Sequence, residues 1–94
     1  MNPQPYEVAL NRSARRALAE TLPLDVAIGV SEFITGPLGD NPYRVGHELH
    51  PPAEGTYSAH VMRAWRVLYV VDDDRRLVIV RAIRHRSDAY RTSS

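Results

Sequence analysis

A chain of 94 residues with no cysteine has room for one domain with one modest core, and it excludes a disulfide framework and thiolate metal sites. No apolar run reaches the eighteen or so residues of a membrane span, and the opening MNPQPYEVAL lacks a basic stretch followed by an apolar core, so the expected compartment is a bacterial cytosol, with no membrane partner. The net charge of +1 hides a polarity: residues 1–55 carry four Arg against seven acidic residues, and residues 56–94 carry eight Arg against four, which points to an anionic partner for the second half.

Tyr6-Glu7-Val8-Ala9-Leu10 alternates apolar and polar residues and predicts a short first strand. Asn11 or Ser13 can cap a helix running to about Leu22, with Ala14, Ala17, Leu18 and Leu22 as its apolar stripe. Leu22-Pro23 ends it, and a second helix follows from about Leu24 to Thr35 or Leu38. Val26, Ala27, Val30, Phe33 and Ile34 give that helix its 3.6-residue spacing. So short a link makes the two helices an antiparallel hairpin. Residues 39–55 hold three Gly and three Pro and predict a long loop, either functional or packed as an irregular arm.

Three strands are predicted next, about Thr56–Met62, Ala64–Val71 and Arg76–Arg84, joined by a tight turn near Arg63 and by the polar run Asp72-Asp73-Asp74-Arg75. Short links force antiparallel hairpins. The order is therefore β-α-α-β-β-β, an α+β fold whose mainly antiparallel sheet carries a helical hairpin on one face.

Parity then assigns the faces. Trp65, Val67, Tyr69 and Val71, with Tyr57, Ala59 and Val61 and with Leu77, Ile79 and Ile83, form a bulky face that should meet the helices; Trp65, Val67, Tyr69 and Ile79 are expected against Val30 and Phe33. Arg81 shares this parity and fits it badly. The other face carries Ser58, His60, Arg66, Arg84 and Arg86, with His60 opposite Arg66 across the turn, beside Leu68, Val70, Val78, Val80 and Ala82. Clustered cations on half-buried strands repel one another and lose hydration, and a bound anion relieves both effects. The alternative is a solvated face whose arginines pair with the acidic turn. His47-Glu48-Leu49-His50 lacks the spacing of a helical zinc motif, and the Asp72–Asp74 turn is expected to be solvated, so neither a metal nor another cofactor is expected.

The same residues carry a family resemblance. Asn41-Pro-Tyr-Arg44-Val-Gly46-His-Glu-Leu49 resembles the N-P-x-R-x-G-x-x-L element of the RelE superfamily of type II toxins. Gly55-Thr-Tyr57-Ser58-Ala59 resembles the strand entry of its actinobacterial members, Trp65-Arg66-Val67-Leu68-Tyr69 the core strand, and Arg84-His85-Arg86-Ser87-Asp88-Ala89-Tyr90 the closing stretch. The resemblance spans nearly the whole chain. It implies a ribosome-dependent endoribonuclease that cuts mRNA in the A site, is neutralised by a cognate antitoxin protein, and forms a toxin–antitoxin hetero-oligomer. It further implies that Arg66 is the conserved strand arginine, that Arg84 contacts the scissile phosphate, that Tyr90 takes part in catalysis and that Arg86 adds charge near the site. Ser58 and His60 depart from the pattern, because strongly active members often place Lys or Arg at these two positions. The scaffold is shared with ParE-like toxins, which bind DNA gyrase, and a weakened homologue that only binds its antitoxin is a further alternative.

Metal-free RNA cleavage needs a base for the 2′-OH, charge stabilisation for the phosphorane and an acid for the leaving 5′-oxygen. Arg66 and Arg84 suit the second role, since guanidinium forks match phosphate geometry. His60 is the candidate base or acid; as a plain strand residue it would be neither. Tyr90 could stack on a base or assist proton transfer, or simply pack on the sheet edge. Ser58, Arg63, Arg86 and Arg44 complete the candidate RNA-binding set.

Overall fold

The computed structural model describes residues 5–87. A five-stranded sheet in the order β1-β5-β4-β3-β2 carries two helices on one face. The strands are β1 (Glu7–Leu10), β2 (His47–Glu48), β3 (Tyr57–Val61), β4 (Trp65–Asp72) and β5 (Leu77–His85). Helix α1 begins as Arg12–Arg16 and widens into a π-type turn over Ala17–Thr21; helix α2, Leu24–Phe33, widens in the same way over Ile34–Leu38. Every pairing is antiparallel except that of β1 with β5, so the predicted α+β architecture and its single helical layer hold.

Local chemistry explains the helix ends. Asn11 is in extended backbone, and its side-chain carbonyl accepts the Ala14 amide at 2.9 Å, satisfying one of the first-turn donors. Pro37 has no amide to continue an α-helical ladder, and the chain meets it inside the wider turn. Met62 and Arg63 both take left-handed φ, 53° and 65°, in the turn between β3 and β4. Met62 lies so close to α2 that a Cβ on Gly29 would sit 2.3 Å from its sulfur. The missing side chain at Gly29 lets helix and turn touch.

The core consists of Ala14, Val26, Val30, Ile34 and Leu38 from the helices and Ala59, Val61, Val67, Tyr69, Val78 and Val80 from the sheet. Trp65, Val71, Phe33 and Ile83 pack at its margin. The face assignment therefore holds for β3 and β4. It fails for the first half of β5: Val78 and Val80 are fully buried beneath the helices, opposite Val71 and Tyr69, while Leu77 and Ile79 pair with Asp72 and Val70 on the helix-free face. The expected contact of Ile79 with Val30 and Phe33 is corrected accordingly. The cause is a β-bulge. Leu68 pairs with Ala82 but Tyr69 pairs with Val80, so Arg81 has no opposite number and the parity of β5 changes there. Beyond the bulge, Ile83 and His85 share the helix side with Val67 and Trp65. Arg81, the misfit of the sequence pattern, is this extra residue, and it is exposed.

A polar clasp closes the opposite end of the sheet. The Asp73 carboxylate accepts hydrogen bonds from the hydroxyls of both Tyr6 and Tyr43, and the Arg76 guanidinium lies 4.3 Å over the Tyr6 ring. One turn residue thus ties β1 and the loop after α2 to the β4–β5 hairpin. The two donated bonds, Tyr43's first, hold the Asp73 carboxyl below its ordinary range, and the bond to Asp73 raises both tyrosine hydroxyls above theirs. The linkage has a definite sign. Asp73's contribution is complete above about pH 4 and is lost as pH falls through its lowered folded-state value. Thermal melts from pH 7 to pH 2 should show Asp73→Asn starting below wild type and losing less of its midpoint below about pH 4. Equal losses in the two proteins would assign the acid sensitivity to other groups.

Candidate functional site

On the helix-free face the strand register builds a row of cations. His60 of β3 pairs with Arg66 of β4, and Arg66 pairs with Arg84 of β5. Directly opposed residues project to the same side of a sheet, about 5 Å apart at Cα, so the three side chains stand side by side. Arg66 and Arg84 are half-buried and His60 is exposed. The bulge at Arg81 is what returns Arg84 to this face after two core valines.

Among the described residues, neither Arg66, Arg84 nor Arg44 makes an ion pair; the two ion pairs present are Arg16–Glu20 and Arg75–Asp72. The acidic turn that was the alternative partner lies at the far end of β4. Asp72 is six residues along the strand from Arg66, roughly 20 Å at 3.3 Å per residue. There the Asp72 carboxylate is engaged by Arg75 and the Asp73 carboxylate by Tyr6 and Tyr43. Two guanidinium groups stand in direct cross-strand register with no acid between them, and an anion would relieve their mutual repulsion.

The next row on the same face is His47, Ser58, Leu68 and Ala82. It begins with β2, a two-residue strand inside the segment predicted as loop. Ser58, expected as an RNA contact, is 1% exposed, and its hydroxyl has no hydrogen-bond partner among the described residues. It floors a shallow cleft whose walls are Arg44, Val45, Gly46, His47 and His60. The His47 and His60 rings meet edge to face with centroids 6.2 Å apart. Sequence reasoning passed over His47 because it weighed that imidazole only as part of a zinc motif and gave it no role within the N-P-x-R-x-G element. Its position five residues past Pro42, near the end of the N-P-x-R-x-G element, was the available signal. Glu48 turns elsewhere, accepting the Gly55 amide at 2.8 Å. Among the described residues no group of three or more His, Asp or Glu is placed to hold a metal ion.

Arg63 is exposed at the tip of the β3–β4 turn, next to the row, and Arg86 is exposed just past β5, its amide bonded to the Ala64 carbonyl at 2.7 Å. His85 is on the helix side, edge-on to Trp65 at 5.1 Å. Tyr90 lies outside the described residues.

The loop that carries Arg44 and His47 is fixed from below. The buried Tyr69 hydroxyl donates to the Pro42 carbonyl at 2.6 Å, and burial pushes its pKa up to about 12. Gly46 passes directly over it: a Cβ there would lie 2.3 Å from that hydroxyl and 2.9 Å from the Ser58 carbonyl. The N-P-x-R-x-G spacing thus has a mechanical reason, with a carbonyl for Tyr69 at Pro42 and a missing side chain at Gly46.

The comparisons with known proteins agree with this fold. A family profile described as ParE toxin of type II toxin-antitoxin system, parDE, matches residues 29–90. The chain is 40% identical over 87 residues to Toxin RelE of Mycobacterium tuberculosis, covering 93% of this chain and 88% of that one. It belongs to the RelE/ParE family of type II toxins. Toxin RelG of the same organism is 39% identical, covering 93% of this chain and 98% of the relative. The crystal structure of the toxin-antitoxin complex RelBE2 from M. tuberculosis matches with a TM-score of 0.81 and 38% identity, over 89% of this chain and 94% of that one. A RelE-type toxin therefore carries the cationic row on the face its helices leave open.

Gly46→Ala should destabilise this toxin by roughly 1–3 kcal/mol, the usual cost of forcing atoms into a filled space. Tyr69→Phe alone should cost about 1 kcal/mol through the lost Pro42 bond. Combined, they should cost less than their sum in urea unfolding, because removing the hydroxyl clears the nearer of the two obstructions at Gly46. Strict additivity would mean that the loop does not rest on Tyr69.

Proposed function

We propose that this RelE-type toxin is a ribosome-dependent endoribonuclease that cuts mRNA in the A site without a metal. The observation that carries the reading is the His60–Arg66–Arg84 row, in register and without an acidic partner among the described residues. Arg66 and Arg84 bind the scissile phosphate and stabilise the dianionic phosphorane, a role in which one preorganised donor is worth about a hundredfold or more in rate. Arg63, Arg86 and Arg44 flank the row and hold neighbouring phosphates, and Tyr90 takes part in catalysis, as the family resemblance implies. A cognate antitoxin neutralises the toxin by covering this face with an acidic segment, giving a hetero-oligomer. The relatives named RelE and the RelBE2 complex support that partner.

One observation favours a second reading. Ser58 is buried and carries no charge, so the face lacks a cation at one of the two β3 positions where the family resemblance leads one to expect it. A chain that binds protein instead of cutting RNA would act as a gyrase inhibitor of the ParE kind.

Primer extension on mRNA in a translating extract separates the two. A-site cuts are expected from the wild type. Arg66→Ala and Arg84→Ala should each lower cutting about a hundredfold or more while melting near the wild-type temperature, because both lie on the open face where truncation leaves no core cavity. Arg81→Ala, at the exposed bulge, should cut normally. Growth inhibition that persists in the Arg66→Ala/Arg84→Ala double variant, accompanied by gyrase-linked DNA breaks, would select the protein-binding reading.

A further inference from the structure

The reaction proposed above needs two proton transfers at opposite ends of one phosphodiester, and the arginine row supplies a single imidazole. A residue that has just accepted the 2′-OH proton on one side of phosphorus is not placed to donate to the 5′-oxygen leaving on the other. The structure brings a second imidazole to the place where it is needed. His47 stands on β2 opposite Ser58, diagonal to His60, and the two rings are 6.2 Å apart at their centroids. Among the described residues neither ring makes a hydrogen bond or an ion pair, and both are exposed. The charged groups around them are Arg44 from the loop, Arg66 directly across from His60 with Arg84 beyond it, and Glu48 beside His47, whose carboxylate is engaged by the Gly55 amide.

We infer that His47 is a catalytic residue of this toxin, acting with His60 as a proton-transfer pair across the scissile phosphate. The inference rests on the ribonuclease reading and names a residue within it. A hydrogen bond to a reacting oxygen spans about 3 Å, so two rings at this separation reach the two ester oxygens of one phosphodiester from opposite sides. His60, in the row with Arg66, takes the proton of the 2′-OH as the 2′-oxygen bonds to phosphorus. His47 gives a proton to the 5′-oxygen as the P–O5′ bond breaks. The products are a 2′,3′-cyclic phosphate and a 5′-hydroxyl, and no oxidant, reductant or metal enters the balance. Arg66 and Arg84 hold the non-bridging oxygens throughout. Ser58 makes the pair possible by being small: a long side chain there would fill the floor of the cleft between the two rings. Gly46, immediately before His47, lets β2 come down onto β3.

The test uses ribosomes programmed with a short synthetic mRNA, under single-turnover conditions from pH 5 to pH 9. Wild-type cutting should follow a bell, because a base must be unprotonated and an acid protonated. His60→Gln should lose the acidic limb and His47→Gln the alkaline limb, each with a rate loss of about a hundredfold or more. A second substrate carries sulfur in place of the 5′-bridging oxygen at the cut site. Thiolate leaves without a proton, so this substrate should restore His47→Gln to near the wild-type rate and leave His60→Gln slow. Melting curves check that both variants fold, as expected for exposed residues. A His47→Gln protein that cuts the oxygen substrate at the wild-type rate with both limbs intact overturns the inference, and so does an equal loss on the oxygen and sulfur substrates. Those outcomes leave the ribonuclease reading standing, whereas a wild-type protein that cuts neither substrate removes the reading and the inference together.

Discussion

One extra residue in β5 sets the relation between the core and the open face. Strand side chains alternate with a period of two, so a strand that buries Val78 and Val80 would send Arg84 beneath the helices as well. A guanidinium there would lose its hydration beside Val67 and Trp65 with no carboxylate to pair with, and the cost would run to several kcal/mol. The bulge at Arg81 resets the alternation between the two requirements. The first half of β5 joins the core through its even residues, and the second half exposes its even residues. The helical layer and the cationic row are thus two consequences of the same local irregularity.

Everything else at the site is held by contacts made below or beside it. The Tyr69 hydroxyl and the bare backbone of Gly46 seat the loop that brings Arg44 and His47 over the sheet. The Asp73 clasp anchors the start of that loop through Tyr43 and the first strand through Tyr6. These contacts use polar groups that would otherwise compete for the arginines. The carboxylates of Asp72 and Asp73 are engaged at the far end of the sheet, away from Arg66 and Arg84.

Most of the architecture was legible because periodicity reports burial directly. The helix stripes and the inward residues of β3 and β4 follow from spacing, and the opposition of His60 to Arg66 follows from the tight turn at Arg63. The bulge was not legible, since no Gly or Pro marks it; its one trace was a charged residue in an apolar parity set. β2 is two residues long, too short for any pattern, and it hid within a segment rich in Gly and Pro. With β2 missing, Ser58 looked like an exposed contact and His47 had no position at all. Burial of Ser58 depends on a neighbouring strand that its own sequence does not announce.

The pairing of β1 with β5 joins the beginning of the described chain to its end, Glu7 beside Leu77 and Leu10 beside Val80. Such contacts span nearly the full length of the domain and are made late, after loop-closure entropy has been overcome by the rest of the fold. A chain emerging from the ribosome can form its helical hairpin early. It cannot dock β1, complete the valine layer or align Arg84 with Arg66 until β5 has been synthesised. Assembly of the cationic row is thereby deferred until β5 has been made, and the growing polypeptide lacks that alignment of charges until then.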